Sequence, residues 1–295
     1  MTTNVGQIRK INRDVYEVQA GEEIVLCTGR GVFRKRKIHP KVGDLVDYEE
    51  DGDNLALITH VHERKNELVR PPIANLDQVI LVFSAVEPAF SVHLLDRFLA
   101  VIEAYHVEVL ICLTKTDLAS EEELIDIRKT LQYYEALGYT VLETNPTAPV
   151  SHEVMRPLIN GKISVLAGQS GVGKSTFLNS LFPDLDLETA HISTALGRGK
   201  HTTRHVELIC IYDGWIADSP GFSSLDFQTI EKEELRFSFR DFNEVSDHCR
   251  FTSCLHLKEP KCAVKEAVEA GDIMQTRYDH YVQFMNEISE RKPRY

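Results

Sequence analysis

Thr114-Lys115-Thr116-Asp117 stands ahead of Gly168-Gln169-Ser170-Gly171-Val172-Gly173-Lys174-Ser175, and this order decides how the chain is read. The second stretch fits G-x-x-x-x-G-K-S, a phosphate-binding loop. The first reads as a guanine-specificity tetrapeptide. In ordinary GTPases the phosphate loop comes first. Here the base reader leads, so the expectation is a P-loop GTPase domain with circularly permuted motifs. Permutation leaves a site intact where the original termini lay close together, but it changes what each end of the domain is attached to.

The surroundings of the phosphate loop fit that reading. An apolar strand, Ile163 to Ala167, precedes it, and a helix from Lys174 to Phe182 is expected after it. Its glycines let backbone N–H groups turn onto phosphate oxygens, and the helix N-terminus adds a favourable field. Gly168, Gln169, Ser170, Gly171, Val172, Gly173, Lys174, Ser175 and Thr176 form the candidate phosphate site. Lys174 would bridge the terminal phosphates, and the Ser175 hydroxyl would ligate Mg²⁺. The plainer reading, a glycine-rich turn, leaves the strand and helix on either side unexplained.

Asp218-Ser219-Pro220-Gly221 follows a short strand, as a Walker-B and switch element should. Asp218 would hold Mg²⁺ through water, and the Gly221 N–H would sense the γ-phosphate. D-x-x-G alone also describes an ordinary turn, and its place after the phosphate loop is what gives it weight. Between the two lies Gly197-Arg198-Gly199-Lys200-His201-Thr202-Thr203-Arg204, with Thr203 favoured over Thr202 as a hydroxyl ligand of Mg²⁺. Phe222 occupies the place where Ras-like enzymes carry the Gln that orients water. Another residue, or a partner, must do that work.

Asp117 can accept two hydrogen bonds from guanine N1–H and the N2 amino group, a pair that adenine lacks. The Lys115 stem would lie along the base, with Thr116 beside it. Thr114 departs from the usual Asn, and its hydroxyl replaces only part of the amide's bonding. A second base-contacting loop is expected near Thr144-Asn145, although the usual Ser-Ala pair is missing.

At 295 residues, with 43% hydrophobic and 26% charged residues, the chain has the composition of a soluble globular protein of two or three domains. No apolar run is long enough to span a bilayer, and Met1-Thr2-Thr3-Asn4-Val5 lacks signal-peptide character, so no membrane role and a cytoplasmic location are expected. A net charge of −12 argues against non-specific nucleic-acid binding. Yet no acidic residue lies between Ile24 and Gly43, where Arg30, Arg34, Lys35, Arg36, Lys37 and Lys41 fall. Such a run reads either as a solvated face or as an RNA contact. Cys27, Cys112 and Cys210 sit singly in apolar stretches and read as buried thiols. Cys249, Cys254 and Cys262 cluster around His256, which in a reducing compartment points to metal rather than disulfides. Three thiolates and one imidazole make a closed tetrahedral zinc set, the alternative being a group of buried cysteines.

Short alternating runs from about Gly6 to Glu63, punctuated by glycines, predict a small β-barrel of the OB or SH3-like kind. Pro71-Pro72 marks a boundary. Strand–helix alternation follows, predicting a mostly parallel sheet with helices on both faces. Ser120 with Glu123 is a capping-box signature, with Leu124, Ile127, Leu131 and Tyr134 on one face of the helix and Gly138 as its stop. The last stretch reads as helical, with Met274, Tyr278, Tyr281, Met285 and Ile288 on one side. The expected fold is multidomain α/β: an OB-like barrel over 1–68, a permuted GTPase domain over 69–230 and a helical zinc-binding module over 231–295.

Arg70-Pro71-Pro72-Ile73-Ala74-Asn75-Leu76-Asp77-Gln78, Gly197-Arg198-Gly199-Lys200-His201-Thr202-Thr203 and Cys249-Arg250-Phe251-Thr252-Ser253-Cys254-Leu255-His256 resemble signatures of the ribosome small-subunit-dependent GTPase A (RsgA/YjeQ) family. The resemblance spans nearly the whole chain. It implies an N-terminal OB barrel, a permuted GTPase domain and a C-terminal module with one structural zinc per chain. It implies a GTP hydrolase that binds the small ribosomal subunit and its rRNA late in assembly and is stimulated by it; a monomer is expected. It selects His256 over the neighbouring His248 as zinc ligand. It also favours Arg30, Arg34, Lys35, Arg36 and Lys37 as RNA contacts and makes His201 the candidate that orients water, against the plain reading of a loop histidine. The alternative function is a nucleotide-switched rRNA-binding protein with negligible turnover. A small-molecule kinase or ATPase is disfavoured by Asp117.

Overall fold

The computed structural model describes residues 3–29, 31, 33, 38–50, 52, 54–68, 71–181, 206–218, 227 and 230–291. In chain order the strands are β1 (Thr3–Asn12), β2 (Val15–Ala20), β3 (Glu23–Gly29), β4 (Leu45–Glu49), β5 (Ala56–Val61) and β6 (Gln78–Ser84). They continue with β7 (Glu108–Thr114), β8 (Thr140–Glu143), β9 (Ile163–Ala167), β10 (Glu207–Ile211) and β11 (Gly214–Asp218). The helices are α1 (Val92–Glu103), α2 (Glu121–Ala136), α3 (His152–Ile159) and α4 (Lys174–Leu181), then α5 (Lys232–Leu235), α6 (Arg240–Ser246), α7 (Ala263–Ala270) and α8 (Gln275–Glu290). Among the described residues no helix is long and apolar enough to cross a membrane. The chain forms two compact units, residues 1–82 with 144–223 and residues 83–143 with 224–295.

In the first unit β1 pairs antiparallel with both β2 and β4, β2 with β3, and β4 with β5, while β3 and β5 close the ring in parallel. This is a five-stranded OB-like barrel. Register shifts between Ile8 and Lys10 and between Asp47 and Tyr48 bend the strands around it. Alternate side chains fill the inside, among them Ile8, Val18, Cys27, Val46 and Ile58. Burial pushes the Cys27 thiol up to about 11. The buried Asp44 carboxylate takes Arg64 Nε at 2.7 Å, Arg64 Nη2 at 2.8 Å and the Lys41 N–H at 2.6 Å, so its charge is paired and hydrogen-bonded.

The end of β1 also pairs with β10 at Lys10 and Glu207, where Lys10 Nζ and Arg9 Nη2 approach the carboxylate at 2.7 and 3.1 Å. β10 and β11 form an antiparallel hairpin, β11 lies parallel to β9, and β9 lies parallel to β6. The barrel thus runs on into the sheet that carries the phosphate loop. The mostly parallel sheet contains this hairpin because the Tyr212-Asp213 turn is far too short for a parallel crossover. Cys210, expected to be buried, is exposed: Leu208 and Ile211 are the residues β10 buries. α3 was not among the expected elements, and it carries Pro157 within it. Ser151 caps its start, accepting from Val154 N–H.

In the second unit β7 and β8 pair in parallel. α2 opens on the expected capping box, with Ser120 Oγ accepting from Glu123 N–H and Glu123 reaching back to Ser120 N–H. It buries Leu124, Ile127, Leu131 and Tyr134 and stops before Gly138, whose φ is 83°. Ala100 and Val101 of α1 belong to the same core as Phe239, Phe242, Tyr281 and Phe284. α1 and the cysteine-bearing segment therefore share one apolar interior.

A polar knot lies in that interior. The fully buried Arg277 guanidinium donates to Asp241 Oδ2 at 2.7 Å and to Asp96 Oδ1. Tyr133 donates to Asp241 and Tyr134 to Asp96, both at 2.7 Å, and His280 Nδ1 lies 2.6 Å from the other Asp96 oxygen. The guanidinium also stacks on the rings of Phe239 and Tyr134. The two carboxylates hold the Arg277 proton far above its ordinary range despite burial. Removing one member of a buried ionic set leaves uncompensated charge behind. Arg277→Met should therefore cost about 3–5 kcal/mol in urea unfolding. Adding Asp96→Asn and Asp241→Asn to Arg277→Met should recover part of the loss, and a neutral single variant would refute this account of the knot.

Candidate functional site

The phosphate loop follows β9 directly and leads into α4. Gly168 has φ 135°, and a Cβ there would lie 2.2 Å from the Val82 carbonyl oxygen of β6, so only glycine fits. Gly171 and Gly173 also take positive φ, at 84° and 90°. Val172 is buried and anchors the loop, while Phe177 N–H donates to Gly173 O at 2.8 Å to start the helix. Lys174 Nζ donates to the Gly168 and Gln169 carbonyls at 2.8 and 2.6 Å. Burial lowers its affinity for the proton, which makes an anion a favourable partner. Ser170 and Thr176 are exposed and Ser175 is partly so.

The candidate base tetrapeptide starts at Thr114, the last residue of β7. Thr114 is buried, and its Oγ1 donates to Phe83 O at 3.1 Å, while its own carbonyl accepts from Ala85 N–H at 2.9 Å. The hydroxyl that replaces the usual amide thus ties the tetrapeptide to β6. Lys115 takes φ 55° and its Nζ donates to Glu87 O. Thr116 is buried and Asp117 exposed. Asn145 holds its own turn, its Oδ1 accepting from Thr147 N–H at 3.0 Å and Ala148 N–H at 2.7 Å.

Asp218 ends β11 opposite Glu207. His201, Thr203, Gly221 and Phe222 lie outside the described residues, as do Arg30, Arg34, Lys35, Arg36 and Lys37.

Cys249, Cys254, His256 and Cys262 converge, with ligand atoms all within 4.8 Å of one another. His256 Nδ1 lies 3.6 Å from Cys249 Sγ and 3.4 Å from Cys262 Sγ, and the two sulfurs are 4.0 Å apart. A zinc tetrahedron with ordinary bond lengths requires edges of about 3.6 Å between nitrogen and sulfur and about 3.8 Å between sulfurs. The donor set and its spacing fit zinc. His248 is not part of the group. Burial, followed by nearby Arg236, pushes the His256 imidazole down to about 4, so it stands neutral and ready to ligate. Burial raises the Cys254 and Cys262 thiols, Cys262 to about 12.

The chain is similar to several known proteins. Residues 61–228 match the RsgA GTPase family model, and residues 5–58 match the RsgA N-terminal domain. A Bacillus cytotoxicus protein named small ribosomal subunit biogenesis GTPase RsgA is 55% identical over 290 residues, spanning 98% of this chain and 99% of that protein. A Bacillus subtilis protein of the same name is 52% identical over 280 residues, spanning 95% and 94%. Among solved structures, YloQ, described as a circularly permuted GTPase, matches at TM-score 0.86 and 46% identity, covering 100% of this chain and 98% of that one. YjeQ from Thermotoga maritima matches at TM-score 0.87 and 35% identity, covering 99% and 100%.

The raised thiols give the metal centre a directional pH response. Zinc must displace protons from Cys254 and Cys262, whereas His256 does not compete for a proton until pH nears 4. Apparent zinc affinity, measured by competition with a chromophoric chelator, should rise by about tenfold or more per pH unit between about pH 6 and pH 8. A flat profile would contradict ligation by these thiols.

Proposed function

The chain belongs to the RsgA GTPase family and is a GTP-hydrolysing enzyme, and from that premise we propose that it binds the small ribosomal subunit and assists its late maturation, with turnover stimulated by the subunit. The observation that carries the reading is a phosphate loop shaped by Gly168 against β6 in a chain whose base tetrapeptide precedes it. Near-complete coverage of similarly organised relatives supports it. The reading without turnover is not favoured, because the matching family is one of GTPases.

In this proposal both motifs serve one nucleotide. Asp117 accepts from guanine N1–H and N2–H, Lys115 lies along the base, and Thr114 and Thr116 hold the tetrapeptide to its strand. Backbone N–H groups from Gly168 through Gly173, together with those of Lys174, Ser175 and Thr176, surround the phosphates. Lys174 exchanges its two carbonyl partners for phosphate oxygens and offsets charge on the bridging oxygen as the terminal bond breaks. Ser175, Thr203 and Asp218 would hold Mg²⁺, which neutralises charge on the β- and γ-phosphates. Gly221 N–H reads the γ-phosphate. His201 accepts a hydrogen bond from the attacking water and aligns it, the work Phe222 cannot do.

The proposed division of labour follows the three segments. Residues 1–68 contact rRNA phosphates through Arg30, Arg34, Lys35, Arg36 and Lys37. Residues 69–230 bind and hydrolyse GTP. Residues 231–295 are braced by one structural zinc on Cys249, Cys254, His256 and Cys262. Because the switch after Asp218 leads into that module, the γ-phosphate is proposed to alter its pose. The protein is proposed to act as a cytoplasmic monomer.

Phosphate release with and without purified small subunits tests the proposal. Subunits should accelerate the wild type, and His201→Ala should retain GTP binding while losing about 100-fold or more of the stimulated rate. Absence of stimulation would remove the ribosomal reading, and full turnover by His201→Ala would remove that residue's role.

A further inference from the structure

The metal loop is held by more than its four ligands. Glu259 lies between His256 and Cys262, and its carboxylate is turned back onto the loop. Oε1 accepts from Leu255 N–H at 2.9 Å, and Oε2 accepts from Leu257 N–H at 2.9 Å and Lys258 N–H at 3.0 Å. These amides flank His256, whose backbone takes φ 56°, a left-handed conformation that costs energy for a side chain of this size. Tyr278 and Tyr281 of α8 donate to the His256 and Leu255 carbonyls, each at 2.7 Å. Arg236 donates to the Cys254 carbonyl at 3.1 Å. The carbonyls of residues 254–256 are thus fixed from the helices, and the amides on either side of His256 are fixed by one carboxylate.

We propose that Glu259 is a positioning residue for the metal centre: by gathering the amides of Leu255, Leu257 and Lys258 it holds His256 in its left-handed turn with Nδ1 facing Cys249 and Cys262, and so sets zinc affinity. Outer-shell groups that orient ligands characteristically contribute 10- to 100-fold to metal affinity.

Charge alone argues the opposite direction. Glu259 is negative, and so is a zinc centre with three thiolates, so removal of its charge would favour zinc if electrostatics at a distance were its main effect. Positioning and repulsion therefore predict opposite signs for one substitution. Glu259→Gln is nearly isosteric, but its amide nitrogen would face N–H groups that need an acceptor.

The test is zinc affinity by competition with a chromophoric chelator, in wild type and Glu259→Gln, with cobalt-substituted spectra of both. The expected result is a 10- to 100-fold weaker Glu259→Gln with altered ligand-field bands. Unchanged or tighter zinc binding overturns the proposal. A second measurement needs no variant. In the zinc-loaded wild type the amide protons of Leu255, Leu257 and Lys258 should exchange slowly with solvent, and rapid exchange at all three would overturn the proposal equally.

Discussion

The carbonyl oxygens of Val82 and Phe83, neighbours in β6, each constrain one of the two motifs that mark the chain's sequence. The Val82 oxygen leaves space for a hydrogen and nothing more at Gly168, which makes the phosphate loop's first residue obligatory glycine. The Phe83 oxygen accepts from Thr114, which moors the base tetrapeptide. A strand core buried along its whole length, Gln78 to Ser84, gives these oxygens a fixed position. Precise backbone placement is what the proposed phosphate cradle and base-reading carboxylate would both require, since neither would do covalent chemistry.

Permutation decides what is joined to each motif. The phosphate loop follows a strand whose sheet runs through β11 and β10 into β1 of the barrel. The base tetrapeptide belongs to the unit whose α1 shares its core with the cysteine-bearing module. Arg277, between Asp96 and Asp241, adds direction to that shared core, because apolar packing alone would tolerate sliding and a three-member ionic set does not. α8 carries both Arg277 and the tyrosines that hold the metal loop. The cysteine-bearing segment and the half that carries residues 114–117 are therefore braced by one helix.

Much of this was legible in the sequence. Alternating short runs gave the barrel, the apolar run before Gly168 gave β9, and Ser120 with Glu123 gave the start of α2. The candidate metal ligands were legible because three cysteines and a histidine cluster within fourteen residues. What was not legible depended on partners distant in the chain. Asp96 stands among Leu95, Phe98 and Leu99, and Arg277 lies one helical turn before Tyr281, so both occupy core positions. Read alone, each was simply a charge. Thr114 looked like a loss against the usual Asn, because nothing local reveals that Phe83 O awaits its hydroxyl. Cys210 misled because an apolar run does not say which face of a hairpin is covered. α3 was not anticipated: it is short and carries Pro157, a residue that disfavours helix interiors.

The leading tetrapeptide and the later phosphate loop are proposed to serve a single guanine nucleotide. Calorimetric titration of GTP and XTP into wild type, Asp117→Asn and Lys174→Ala tests it most directly. The account predicts one nucleotide per chain and a GTP preference in the wild type. It predicts reversal toward XTP in Asp117→Asn, whose amide can donate to the xanthine 2-oxygen, and loss of both ligands in Lys174→Ala. An Asp117→Asn protein that kept the wild-type preference, or a chain that bound two nucleotides, would contradict it.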